Sequence, residues 1–173
     1  IYSGTLWSRG ASWTVGNEPG VSANWVSHAP TAIPLIAVKE TDESVTSSTT
    51  LQDDDDLQLT LEANSFYKLE AHLTVFSASA NPDFKYRFEF GAVGNWSGLK
   101  EDADQSTGFD IYQGTNAITK TLSAGVSTTI RINIQMQIAV GAGVFKLRWA
   151  QNNSDGTATT VKGGSFMKAE KLA

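Results

Sequence analysis

The sequence predicts an all-β protein, an antiparallel β-sandwich of jelly-roll type. Apolar and polar residues alternate along several segments, which is the period of a strand with one buried face. No window of about 11 residues or more shows helical periodicity. Turn-forming residues separate about nine short segments at even spacing. Such a series of short strands, without an internal repeat, argues for a β-sandwich or jelly roll.

The first thirty residues differ from the rest of the chain. They hold three of the five tryptophans and show little periodicity. Residues 29–34 contain two prolines, which cannot donate to a strand ladder and are typical of a linker. We therefore expect a small, turn-rich module over residues 1–30 and the sandwich over residues 31–173.

The first half of the sandwich is organised around one long strand. Residues 35–39 form a short apolar strand, 40–50 a polar loop or edge segment, and 57–61 a second strand. A turn at 63–64 leads into the strand 65–76. Its odd positions from Tyr67 to Val75 are all apolar, which predicts one face on a core and one face outward.

The second half repeats this alternation. The strongest strand signals are residues 83–90, 126–140 and 144–151. The glycines at 141 and 143 between the last two predict a β-hairpin. Residues 91–108 are predicted to be a long loop. Weaker strands are expected at 109–112, 117–122, 157–162 and 164–172.

Composition limits the classes of function. The chain has 173 residues, a net charge of −5 and no cluster of Lys and Arg, which argues against a nucleic-acid groove. It has no cysteine, so disulfide scaffolds and thiolate metal sites are excluded. No apolar run reaches the roughly 18 residues that span a bilayer, so no membrane insertion is predicted. The chain begins with Ile rather than Met, from which we expect processing, truncation or a missing upstream part.

The sequence predicts no enzyme, no cofactor and no metal site. The two histidines, His28 and His72, have no partner at metal-ligand spacing. No nucleophile elbow, phosphate loop or dinucleotide fingerprint is present. A glycosidase needs only two carboxylates and stays open as an alternative, although the acidic residues fall in predicted turns or outward positions.

Four consecutive aspartates, Asp53 to Asp56, allow two interpretations. They could bind calcium, which takes several carboxylate oxygens, but they lack the spacing of a calcium loop. We favour a solvated turn before a strand, whose like charges keep an exposed edge from pairing with neighbours.

Tryptophans are the candidates for glycan binding, since their faces offer apolar area with a polar rim. The candidate residues are Trp7, Trp25 and Trp96. The alternative is that the N-terminal tryptophans, with Trp13, form a miniature core. Trp149 alternates with Leu147 and is predicted to be a core residue.

The outward face of strand 126–140 is a candidate subunit interface. The candidate residues are Arg131, Asn133, Gln135 and Gln137. The last three are uncharged, where a solvent-facing strand more often has Lys, Glu or Thr. Uncharged polar groups suit a buried, hydrogen-bonding interface, and a simple hydrated sheet face is the alternative.

Five segments follow one another in a familiar order: residues 48–57 (STTLQDDDDL), 61–67 (LEANSFY), 82–88 (PDFKYRF), 147–152 (LRWAQN) and 159–166 (TTVKGGSF). Together they resemble a C-terminal β domain of tailed-bacteriophage virion proteins, such as tail fibres, minor tail proteins and head-decorating spikes. Residues 2–7 (YSGTLW) and 16–25 (GNEPGVSANW) resemble the later half of a chitin-binding-type carbohydrate-binding-like module.

The resemblance implies a noncatalytic protein on the virion exterior, a jelly-roll-like sandwich and a homotrimer. Its partners would be other virion proteins, of tail or capsid, and host-surface glycans. We expect a fibre or spike domain involved in host attachment. A capsid decoration protein bound to the major capsid protein is the first alternative, and a secreted bacterial glycan-binding module is the second.

Overall fold

Twelve β-strands make up the fold of the described residues, and they include no helix. The computed structural model describes residues 33–90, 98–102, 110–112 and 117–172, and only the backbone of 98–102 and 110–112. The strands are β1 (Leu35–Val38), β2 (Glu43–Val45), β3 (Gln52–Leu61), β4 (Ser65–Ser77), β5 (Phe84–Phe90), β6 (Gly98–Asp102), β7 (Asp110–Tyr112), β8 (Ile118–Lys120), β9 (Thr128–Ile138), β10 (Gly143–Ala150), β11 (Thr159–Val161) and β12 (Phe166–Lys171). Hence no described segment is a helix that could cross a membrane.

The strands form two antiparallel sheets. The first runs in the order β1-β12-β4-β9-β6-β7, with β11 also paired to β4 and β2 paired to β11. The second runs β3-β10-β5-β8. Every ladder in both sheets is antiparallel.

The pairing follows a single long hairpin wrapped on itself. The strands pair from first with last to the middle of the chain: β1 with β12, β2 with β11, β3 with β10, β4 with β9, β5 with β8 and β6 with β7. The pairs β3–β10 and β5–β8 belong to the second sheet and the other pairs to the first. This arrangement is a jelly roll, so the predicted fold class is confirmed.

The hairpin predicted between residues 126–140 and 144–151 is wrong. Strand β9 pairs with β4 and β6 in the first sheet, whereas β10 pairs with β3 and β5 in the second. The chain crosses from one sheet to the other between them. Alternation shows which face of a strand is buried, but it does not show which strand lies beside it.

The core lies between the sheets and consists of the inward faces of the long strands. In β4 the inward side chains are those predicted, Tyr67, Leu69, Ala71, Leu73 and Val75, all buried. Opposite them lie aromatic residues of the second sheet. Their rings contact one another: Phe84, Tyr86, Phe88, Phe145 and Trp149. Trp149 is fully buried, as predicted for a core residue.

Two other local predictions are also wrong. The aspartates 53–56 lie inside β3 rather than in a turn before it. The predicted loop 91–108 contains strand β6, which pairs with β9. The turn at 63–64 is confirmed: Asn64 adopts a φ of 52°, a left-handed conformation that asparagine tolerates better than most residues.

Candidate functional site

The predicted interface residues lie together on one surface. The side chains of β1, β12, β4 and β9 that point away from the core form one surface of the first sheet, which we call the outer face. Arg131, Asn133, Gln135 and Gln137 all point outward on β9. Asn133 is half-buried and the other three are exposed. They stand opposite His72, Glu70, Lys68 and Phe66 of β4 respectively.

Charges at the centre of the outer face compensate one another. Lys68 and Glu70 of β4 form an ion pair at 2.8 Å. On the neighbouring strand β12, Glu170 lies opposite Lys68 and Lys168 lies opposite Glu70. The hydrogen bond from Lys68 lowers the pKa of Glu70, and the same bond raises the pKa of Lys68. The centre of the face therefore carries alternating charges without a net excess.

An apolar corner lies on the outer face where β1 forms the edge of the sheet. Ile36 and Val38 of β1 point outward and are 61% and 50% exposed. Beside them Phe166 of β12 stacks on His72 of β4, with ring centroids 4.7 Å apart. This corner was not predicted from the sequence. The signal was present, because four successive apolar residues in one strand, 35–38, cannot all face the core.

The aspartate run builds an irregular segment in β3. Lys146 of β10 pairs with Gln58, but Arg148 pairs with Asp53, so β3 accommodates several extra residues there. The Asp54 carboxylate accepts the backbone N–H groups of Asp56 and Leu57 and closes this bulge. The run is thus not a solvated turn: its members alternate between exposed and buried positions.

Asp54 is the centre of a buried polar network that connects the two sheets. Its Oδ1 accepts a hydrogen bond from Lys39 Nζ at 3.0 Å, and its Oδ2 accepts one from Trp149 Nε1 at 3.1 Å. Lys39 follows β1 in the first sheet, whereas Asp54 and Trp149 belong to the second. Lys39 Nζ also donates to Glu43 at 2.5 Å and to Asp56 at 3.4 Å. Burial lowers the pKa of Lys39, but its bonds to Glu43 and Asp54 outweigh burial, so the pKa is raised.

A second charge network lies on the outward side of the second sheet. Arg87 of β5 stands opposite Arg148 of β10, and Glu89 Oε2 bonds to both guanidinium groups. Asp53 pairs with Lys146 at 2.6 Å and with Arg148 at 2.7 Å. The pKa of Asp53 is lowered, chiefly by the Lys146 bond. Burial raises the pKa of Glu89, but Arg148 and Arg87 outweigh it, so that pKa is lowered.

The glycan candidates Trp7, Trp25 and Trp96 lie outside the described residues, and so does His28. Their binding role stays a prediction, as does the division into 1–30 and 31–173. His72 lies half-buried on the outer face, as predicted for an outward position. Across the described ranges, no three acidic or histidine side chains are grouped so that they could hold a metal ion.

Comparison with known proteins shows only distant likeness. No protein-family model matches the sequence, and no curated protein matches it. The structure of Eiger TNF from S. frugiperda is 11% identical with a TM-score of 0.43, over 81% of this chain and 93% of that one. The structure of infectious bursal disease virus Gx strain is 10% identical with a TM-score of 0.38, over 92% of this chain and 42% of that one. At these TM-scores neither likeness bears on function.

Proposed function

We propose that the chain is a noncatalytic structural protein on the exterior of a tailed-phage virion. In this proposal it is a fibre or spike domain that assembles as a homotrimer and attaches the particle to the host surface or its glycans. The resemblance of residues 48–57 and of the other quoted segments to phage virion domains supports a location on the virion. The proposed trimer rests on the outer face of the first sheet.

The outer face has two unlike sides. Strand β1, at the edge of the sheet, bears the apolar Ile36 and Val38, whereas β9, which lies inside the sheet beside β6, bears exposed amides, among them Gln135. Around a three-fold axis, the β1 side of each copy meets the β9 amides of its neighbour. Such a contact removes exposed apolar surface at β1 from water and places uncharged amides, rather than charges, at the buried contact.

The size of the outer face limits how much of a subunit contact it can supply. Its strands β1, β12, β4 and β9 have 4, 6, 13 and 11 residues. At about 3.4 Å per residue and about 4.8 Å between strands, they give a flat area of roughly 550 Å². This is smaller than the roughly 800 Å² per partner in a standard protein interface, so a trimer contact would extend beyond this face. Three linked copies would also multiply weak contacts with repeated sites on a cell surface.

Sedimentation equilibrium of the full chain tests the proposal. We expect three copies for the wild type and dissociation for the double variant Gln135→Glu/Gln137→Glu, because each copy would bury two additional carboxylates. The matched control is Gln58→Glu/Thr60→Glu, which adds the same two charges at exposed positions of the second sheet. A wild-type monomer at all concentrations, or equal effects of the double variant and the control, would contradict this interface.

A further inference from the structure

The buried network around Lys39 has the arrangement of a reaction centre as well as that of an ion pair. The Lys39 and Asp54 side chains are 1% and 0% exposed, and Nζ lies 3.0 Å from Oδ1. We propose that the two side chains become joined by an intramolecular isopeptide bond after the chain folds. The bond would tie the end of β1 in the first sheet to β3 in the second.

A nucleophile and a base are already in contact. Lys39 Nζ is the nucleophile, and Glu43 Oε2 lies 2.5 Å from it, within reach of the proton that must leave the ammonium group. Gln52 Nε2 donates to the other oxygen of Glu43 at 2.9 Å and orients the carboxylate. Lys39, Glu43 and Gln52 thus stand in the order of nucleophile, base and orienting group, and the amine reacts while Glu43 holds its proton.

The Asp54 carboxyl group becomes the electrophile once a proton from Lys39 has moved to it, so that one of its oxygens can leave as water. The backbone N–H groups of Asp56 and Leu57 donate to Oδ1 at 3.1 and 2.9 Å, and Trp149 Nε1 donates to Oδ2. Two N–H groups at such distances stabilise negative charge that develops on a carbonyl oxygen during attack. Oδ1 would thus become the oxygen of the new amide.

The reaction balances without any further reagent. The Lys39 ammonium and the Asp54 carboxylate together hold three protons. The bond between Nζ and Cγ forms, one bond between Cγ and oxygen breaks, and that oxygen leaves as water. Two protons depart with the water, relayed by Glu43, and one stays on the amide nitrogen. No electron is gained or lost, and the step occurs once per chain, so it is not enzyme turnover.

Position and burial favour the product. The backbone of Lys39 is fixed on both sides, since its N–H donates to Ser165 and its carbonyl accepts from Gly164, both at 2.8 Å. Holding two reactants in contact replaces a bimolecular encounter with a local step. The ammonium form of Lys39 is favoured, so the reaction is slow. Because the buried amide is kept from water, the product nevertheless accumulates.

Intact mass under denaturing conditions tests the bond directly on the full chain. After incubation in mildly alkaline buffer, we expect a mass lower than that of the sequence by one water. A protease digest should then contain a branched peptide joining Lys39 to Asp54. An unchanged mass after prolonged incubation would overturn the proposal. So would a water loss that maps to Asp155, which precedes a glycine and can cyclise on its own backbone.

Three variants separate the bond from a noncovalent ion pair. Glu43→Gln should slow the loss of water about a hundredfold or more, the usual contribution of a general base. Lys39→Arg keeps the charge but has no amine that can be deprotonated, so it should retain the full mass. Asp55→Asn is the matched control at an exposed neighbour and should react like the wild type. If Lys39→Arg does not fold, the wild-type digest still decides, and none of these results depends on oligomeric state.

Discussion

Replacement of Asp54 by alanine should destabilise the protein far more than the same change at its neighbour Asp55. Both changes remove one aspartate from the same strand. The Asp54 side chain is fully buried and bonds to Lys39 and Trp149, whereas Asp55 is exposed. The difference between the two variants therefore isolates burial and bonding from the change in net charge.

The size of the effect follows from what the buried network loses. Removing one partner of a buried ion pair costs about 3–5 kcal/mol, and Lys39 here loses its fully buried counter-ion. The Trp149 N–H and the backbone N–H of Leu57 also lose their acceptor, at about 1 kcal/mol or more each. Glu43 stays beside Lys39 and offsets part of this loss. We expect Asp54→Ala to lower the free energy of unfolding by about 3–5 kcal/mol and Asp55→Ala by about 0.5 kcal/mol or less.

Urea unfolding followed by tryptophan fluorescence measures this difference, since Trp149 is buried beside the site. Intact mass should be recorded for the wild type first, because a Lys39–Asp54 bond would add to the measured loss. If the free energies of unfolding of Asp54→Ala and Asp55→Ala differ by less than about 0.5 kcal/mol, the network does not hold the two sheets together.

Three further outcomes are expected. The pKa of Glu89 is lowered in the folded protein, so its contribution is present above the ordinary carboxyl pKa and is lost as pH falls through the folded pKa. Urea midpoints should therefore fall with pH in that acidic window, and less so for Glu89→Gln. Gln151 is fully buried and its Oε1 accepts the backbone N–H groups of Ser48 and Asp155; Gln151→Leu should cost about 2–4 kcal/mol in urea unfolding, since each orphaned donor costs about 1–3 kcal/mol. Asn64→Val should lower the thermal midpoint because a β-branched residue is strained at positive φ, at about 1–2 kcal/mol, whereas Asn64→Gly should not.

Much of the fold could be predicted because alternation is a local property. The inward face of β4 and the burial of Trp149 follow from side chains that switch sides at each residue. Strand partners could not be predicted in this way. A jelly roll pairs β1 with β12 across nearly the whole sandwich, and no local pattern encodes a contact between such distant segments.

The candidate site was only partly visible in the sequence. The amides of β9 could be placed on one face, but the apolar corner depends on β1 and β12 lying side by side. The aspartate run was misread for a related reason. Four successive negative charges are expected to lie in solvent. The charge of Asp54 is instead balanced in the interior by Lys39, fifteen residues earlier. A partner at that distance becomes visible only when the two sheets are packed.

The most direct test of the proposed virion function is whether the protein is present, and where, in intact phage particles. Cryo-electron microscopy with an antibody against the sandwich would provide this measurement. We expect label on the particle exterior over a three-fold symmetric density, with its location on tail or head separating a fibre from a capsid decoration protein. Purified particles without the chain, or with the chain enclosed inside the capsid, would contradict the proposed function.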